Sequence, residues 1–469
     1  MLDVTVTPRP PAPSMEDGPI GGDAHDRCVD DETVVSQDGD AAGAATEAAS
    51  GSIESEERGD RGDAPPEPNV SAPIAGSQDI VGASILRPAM NPRPDGDVGL
   101  TVQDAGEAAG GAVVDGDIVV LLGDGTGGPV AWKPSVRGSP HLFVAGIPGQ
   151  GKSWTILRIL TALARQRVPA LVFDFHGQFS DPHNPYVRTA RPNVLDASQG
   201  LPFSPFECSA DGGAADWKAN CFAIAEIFGY VAGLGDMQRD AVYTAVRDAY
   251  RAYGFGDGDD GRERSYPTMR DVLSRIEARE RMRQITNVSA RCRPLLEMDL
   301  FKPEDNSVDL LTTVRGGAVI DVHGLYAETM QLATGAFVLR KLYKDMFHWG
   351  QADHLRLVLV LDEAHRLARD ITLPKIMKEG RKFGIAVIVA SQGLADFHQD
   401  VLGNAGTKVV FRTNHPESRR IAGFIRARSG QDVVARIEGL PVGSAYVQTP
   451  EMTFGELVHM YPLDEESAG

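Results

Sequence analysis

Apolar residues along this chain fall into two alternating patterns. The first is the short, nearly unbroken apolar run: residues 142–145 (LFVA), 169–175 (PALVFDF), 318–322 (AVIDV), 355–361 (LRLVLVL), 385–390 (IAVIVA), 408–412 (KVVFR) and 444–448 (SAYVQ), which reads as the last strand. The second is a helical period. Between residues 153 and 165, Ile156, Leu157, Ile159, Leu160, Leu163 and Ala164 recur on one face. Strands apolar on both faces, separated by helices, predict an α/β fold with a mostly parallel sheet covered on both sides.

The pattern changes at both ends of a central helical stretch. From about 205 to 310 the strand runs stop, and a helical insertion is expected. Asp236 is placed to cap a helix whose Ala241, Val242, Ala245, Val246, Ala249 and Tyr250 share a face, and Thr268 with Asp271 resembles a capping box opening the next. That second helix carries Arg275, Arg279, Arg281 and Arg283 among Glu277 and Glu280, which reads as a solvated face first and a nucleic-acid contact second. Residues 256–261 (GDGDDG) lack the downstream ligands of a calcium loop and read as an exposed turn.

The first 77 residues show no sustained period. They are rich in Pro, Ala, Gly, Ser, Asp and Glu, cannot bury enough apolar surface to offset ordering, and are expected to be a disordered acidic tail. Their Arg61-Gly62-Asp63 matches a cell-adhesion tripeptide by chance. Residues 78–138 are expected to form a small β-rich subdomain, with β-like pieces at 117–122 and 129–132 joined by a glycine-rich turn. Residues 139–469 then form the main domain.

Charge changes this picture less than the total suggests. The net charge is −19, but residues 1–80 hold 18 acids and 4 bases, so the rest of the chain carries only −5 and a DNA partner stays open. Four scattered cysteines without a C-x-x-C pair suggest neither zinc nor a disulfide framework. No apolar run approaches the ~18 residues of a membrane span and no basic-then-apolar leader opens the chain, so a soluble, cytoplasmic protein is expected, without membrane insertion.

The chemistry is concentrated where strands end. After the 142–145 run come Gly146-Ile147-Pro148-Gly149-Gln150-Gly151-Lys152-Ser153, then Trp154 and the helix: G-x-x-x-x-G-K-S in its strand-to-helix context. Glycines let the backbone close on phosphate oxygens, and the helix presents its positive end to the same anion. Lys152 is expected at the β/γ-phosphates and Ser153 on Mg²⁺; the alternative is a glycine-rich turn that binds nothing. Asp174, His176 and Gln178 follow the 169–175 run, where ligands of open α/β sheets gather, although a capping loop without chemistry remains an alternative for His176. At the end of 355–361, Asp362 is placed to hold Mg²⁺ and Glu363 to polarise an attacking water, which favours hydrolysis over a simple switch. Gln392, one strand later, is placed to sense the γ-phosphate.

Asp362-Glu363-Ala364-His365 also invites comparison with superfamily-two helicases. The 210 residues separating Lys152 from Asp362 and the lack of a terminal Q-x-x-G-R-x-x-R argue against it. Taken together, PHLFVAGIPGQGKSW, FDFHGQF, LVLVLDEAHRL, EGRKFGIAVIVASQ and IEGLPVGSAYV resemble the HerA/FtsK superfamily of DNA-pumping ATPases, nearest its HerA-like branch, over residues 121–447. The lead-in LLGDGTGGPVAWKP is similar to that of FtsK-like plasmid-transfer pumps and of the ATPase of phosphorothioation-dependent restriction systems. The resemblance implies a RecA-like P-loop core using ATP and Mg²⁺, a homohexameric ring around duplex DNA, and work in DNA processing, transfer or defence, with a nuclease partner conceivable. It also implies that Arg381, in EGRKFG, reaches a neighbour's nucleotide; a surface arginine beside Lys382 is the alternative. Gln178 stands where the family often has an acid. Two other classes remain open: an ATP-dependent assembly switch regulating a nuclease, and a secretion-type pump.

Overall fold

A computed structural model describes residues 118–208, 213–256, 258, 265–302, 310–393, 397 and 399–463. The expected acidic tail, Arg61-Gly62-Asp63, most of the 78–138 subdomain and most of the 256–261 turn lie outside those residues.

Eleven strands among the described residues make one sheet: β1 (Val120–Gly125), β2 (Gly128–Trp132), β3 (Leu142–Ala145), β4 (Ala170–Asp174), β5 (Asn193–Asp196), β6 (Ala318–Asp321), β7 (Leu357–Leu361), β8 (Ile385–Ser391), β9 (Thr407–Val410), β10 (Ser444–Gln448) and β11 (Glu456–Met460). Their spatial order is β2-β1-β11-β10-β9-β3-β8-β7-β4-β6-β5. From β9 to β5 every pairing is parallel, while β10, β11, β1 and β2 continue the sheet antiparallel. The sheet is thus mostly parallel, as the apolar runs predict. Two strands were not foreseen: β5, largely exposed, and β11, which follows the run read as the last. In β11 only Val458 and Met460 are fully buried, and Leu457 points outward, so no continuous apolar run marks it.

The two faces of the sheet feed two cores by strict alternation. Leu357, Leu359 and Leu361 of β7, with Ile385, Val387 and Val389 of β8, join one core with residues of the helices. Their neighbours Val358, Val360, Ala386, Ile388 and Ala390 pack on the opposite side with Ile156, Ile159, Leu160 and Leu163. Those last residues belong to α1 (Lys152–Arg165), which is followed by the short α2 (Pro185–Ala190).

The helical insertion is present as α3 (Gly213–Val231), α4 (Asp236–Ala252), α5 (Met269–Arg281), α6 (Val288–Leu296) and the single turn α7 (Leu310–Thr313). Helices α8 (Glu328–His348) and α9 (Thr372–Glu379) return the chain to the sheet. All six predicted α4 residues are buried, but its N-cap is Gly235, with Asp236 as the first helical residue. At α5 the capping box forms: Asp271 N–H donates to Thr268 Oγ1 at 3.2 Å, and Thr268 N–H donates to Asp271 Oδ2 at 2.8 Å.

The charges of α5 are largely used inside the chain. Arg279 pairs with Asp248 at 2.8 Å, and Arg275 donates to the Asp271 carbonyl at 2.8 Å. Glu277 pairs with Arg293, and Glu280 accepts the Val288 and Ser289 N–H groups at the start of α6. These bonds favour the solvated, self-paired reading of this helix over a nucleic-acid face.

Candidate functional site

β3 delivers the chain to the carboxyl edge of the sheet, and the next six residues turn it back into α1. Gly149 (φ 77°) and Gly151 (φ 113°) adopt left-handed backbone, where a side chain would be strained. A Cβ on Gly146 would meet Phe411 Cβ at 2.7 Å, so the loop lies against the end of β9. It is pinned there by Gly146 N–H donating to Ser391 O at 3.3 Å and Ile147 N–H to Arg412 O at 2.9 Å. Lys152, 6% exposed, donates through Nζ to the Gly146 and Ile147 carbonyls at 2.7 and 3.2 Å. Burial lowers its pKa, opposed by the charges of Glu363 and Asp362.

Between β3 and β7 lies only β8, so the ends of these three strands converge on the loop. Asp362, just past β7, is 5% exposed, and Ser153 Oγ donates to its Oδ2 at 3.4 Å. Burial, then the adjacent Glu363 charge, push the Asp362 carboxyl up to about 6. Glu363 sits in left-handed backbone (φ 56°, ψ 38°), an uncommon conformation for a long side chain. Its Oε1 accepts from Gln392 Nε2 at 2.7 Å. His365 Nδ1 lies 3.1 Å from Oε2, close enough for charge to be felt but off hydrogen-bond alignment. Burial works against ionisation of Glu363, but His365 and Gln392 outweigh it and hold the carboxyl down at about 2.

Lys152, Ser153, Glu363, Gln392 and Gln178 share one cavity of about 870 Å³, within the range of small-molecule sites. Pro148, Gly149, Gln150, Gly151 and Trp154 line it as well. A smaller cavity of about 240 Å³ abuts the far side of Glu363, between His176, His365, Arg366 and Gln392. Thus Gln178 and His176 do flank the acidic pair, in different cavities. Asp174 is spent elsewhere: its carboxylate accepts from the N–H groups of His176, Gln178, Phe179 and Ser180 and from Ser180 Oγ, at 2.8–3.2 Å. It shapes the loop that carries His176 and Gln178.

Arg381 is at the other edge of the sheet. It precedes β8, is exposed, and donates through Nη1 to Gly138 O at 2.8 Å, ahead of β3. The site also contains residues that motif reading did not single out. His365 stood inside the quoted D-E-A-H run without a role. Val442, Gly443 and residues 459–463 line the large cavity from the C-terminal segment, and nothing short of the fold of β11 brings them there.

The residues present fit a nucleoside triphosphate with Mg²⁺: a glycine loop with left-handed turns at a helix start, a buried lysine in its mouth, and a hydroxyl facing a buried carboxylate. Among the described residues no cluster of three or more metal-ligating side chains occurs, and no helix is long and apolar enough to cross a membrane.

Comparison with known proteins covers most of this domain. A family model described as "Helicase HerA, central domain" matches residues 125–342, and one described as "Type IV secretion-system coupling protein DNA-binding domain" matches residues 324–442. The DNA double-strand break repair helicase HerA of Saccharolobus solfataricus is 21% identical over 335 residues, 66% of this chain and 61% of that protein. The probable DNA double-strand break repair helicase HerA of Methanocaldococcus jannaschii is 27% identical over 115 residues, 23% of each chain. This chain therefore spans less than two-thirds of the length of these curated relatives. Among solved structures, VirB4 of Thermoanaerobacter pseudethanolicus superposes with a TM-score of 0.56 at 17% identity, covering 76% of this chain and all of that one. The plasmid coupling protein TrwB in complex with ADP and Mg²⁺ gives 0.52 at 17% identity, covering 73% and 88%.

Proposed function

Since the chain belongs to the HerA/FtsK-type P-loop ATPases, with their RecA-like fold, we propose that it is an ATP-hydrolysing motor that moves duplex DNA through a homohexameric ring. The observation that carries this reading is that Lys152, Ser153 and Glu363 share one cavity at the carboxyl edge of the sheet, with Asp362 at 3.4 Å from the Ser153 hydroxyl. A phosphate-binding loop alone would serve a switch. An ionised glutamate beside it, held by a neighbouring glutamine, serves hydrolysis.

In this reading, Mg²⁺ when bound offsets charge on the phosphates, with Ser153 and Asp362 as its protein ligands. Lys152 leaves the loop carbonyls for the β/γ-phosphates. Glu363 orients water and takes its proton. Gln392 and His365 hold the Glu363 carboxyl down, and Gln392, bonded to it at 2.7 Å, would report the γ-phosphate to it. Arg381 lies at the opposite end of its own strands from Lys152, so a role in hydrolysis requires a neighbouring subunit's site. Duplex DNA as substrate is supported by the HerA and coupling-protein matches; the ring belongs to the proposal and would give Arg381 a neighbour's site to reach.

The test is ATP turnover with and without duplex DNA, together with displacement of a protein roadblock from that duplex. Stimulated turnover with displacement is expected. Turnover without displacement would leave an ATP-dependent assembly switch acting on a nuclease as the better account.

A further inference from the structure

The large cavity has two chemically different ends. One is polar, at Lys152, Gln178, Glu363 and Gln392, and would take phosphates; the other is apolar and aromatic, at Trp154, Val442, Tyr461 and Leu463. Because the two ends are continuous, whatever sits in the phosphate loop extends its other half toward the aromatic end. Resting on the nucleotide reading above, we propose that the base of the bound nucleotide packs against Trp154 and Tyr461, so that Tyr461, just past β11, is a working part of the nucleotide site.

Both rings are set up for this contact. Trp154 stands on the first turn of α1, 58% exposed, whereas Trp132 and Trp217 are 1% and 3% exposed in the cores. A large aromatic left in water beside a phosphate loop has a flat face available for stacking. Tyr461 is held in place from several sides. Its N–H donates to Leu122 O at 3.0 Å, its hydroxyl donates to Asp124 Oδ1 at 2.5 Å, and the Arg158 guanidinium covers its ring at 5.0 Å. Arg158 follows Trp154 by four residues and so shares its face of α1, which brings the two rings to one side of the helix. Arg158 also donates to Leu121 O, tying α1 to β1.

Polar side chains line the cavity here too: His459, with Nδ1 3.4 Å from Ser444 Oγ, and Gln150, whose backbone carbonyl accepts from Gly443 N–H at 3.4 Å. The contact proposed for Trp154 and Tyr461 is stacking and burial, which the flat face of any base can make. Adenine and guanine nucleotides should gain from it alike.

The experiment is calorimetric titration of the full chain with ATP, GTP and inorganic tripolyphosphate, each with Mg²⁺. Trp154→Ala is expected to weaken ATP and GTP about tenfold, the scale of one base–aromatic stack, and to leave tripolyphosphate unchanged. Trp154→Phe should restore most of the loss. Emission of the exposed Trp154 should respond to ATP and not to tripolyphosphate. Unchanged ATP affinity in Trp154→Ala, or an equal loss for tripolyphosphate, would overturn the base contact while leaving the phosphate loop in place. A wild-type chain that binds none of the three would instead overturn the nucleotide reading beneath it.

Discussion

β4 and β7 lie side by side, parallel, apolar on both faces, and each is closed by an aspartate at the same level of the sheet, since Phe173 pairs with Leu361. Yet Asp174 and Asp362 live differently. Asp174 is surrounded by donors from its own loop, four N–H groups and a hydroxyl. Asp362 accepts from Glu363 N–H and, at longer reach, from Ser153, and is pushed up to about 6 by burial and by the neighbouring acid. A strand-end carboxylate with every lone pair occupied is architecture. One kept buried with strained electrostatics is free for a ligand the chain does not itself supply.

The strongest challenge to this division comes from a residue outside the two strand ends. Arg381 has an architectural contact, to Gly138 O, and a proposed chemical one in a neighbouring subunit. If the chemical role is real, Arg381→Ala should bind ATP normally and hydrolyse it about 10³ to 10⁵ more slowly. Mixing it with Lys152→Ala subunits should restore some turnover, measured in rings shown by mass to contain both. No rescue would return Arg381 to architecture.

The next effect is on folding. Asp174→Ala strips five donors of a buried acceptor in a half-buried loop, and should lower stability by roughly 3 kcal/mol in denaturant titration. A loss below about 1 kcal/mol would mean that the loop does not depend on Asp174.

Asp362→Asn should do the reverse, by a smaller amount. A carboxyl raised in the folded state from about 3.8 to about 6 destabilises the fold wherever it is ionised, so the neutral isostere should gain about 1–3 kcal/mol without Mg²⁺. The sign fixes the pH window: the gain is full above pH 6 and disappears as pH falls toward 3.8, where the wild-type acid is protonated in both states. Denaturation curves of both proteins across that range check it, and a gain that persists at pH 3.8 would assign the effect to packing.

How legible this was in the sequence depended on which interactions were local. β3, β4, β7 and β8 are buried on both faces, so their apolar runs were unmistakable, and Lys152, Asp362, Glu363 and Gln392 followed from standing at their ends. β11 was missed because it shows the core only Val458 and Met460, and with it went Tyr461 and Leu463. Asp174 and Asp362 were indistinguishable as letters, since each follows an apolar run. Only the turn of residues 176–180 around one of them, and the approach of Ser153 and Glu363 to the other, separates their roles. His365 was visible within D-E-A-H, but its approach to Glu363 depends on the 3₁₀ turn that follows the left-handed Glu363. The charge pattern of α5 likewise gave the residues without their partners, which come from α4 and α6.

Hydrolysis rests on Glu363, the second acid after β7. That role is tested most directly by measuring ATP affinity and steady-state ATP turnover of Glu363→Gln beside the wild type, at saturating Mg²⁺ and duplex DNA. The account predicts unchanged affinity, because Lys152 and Ser153 are intact, with turnover reduced about 10²- to 10⁴-fold by loss of the proton acceptor. Equal turnover in the two proteins would contradict it and remove Glu363 from the mechanism.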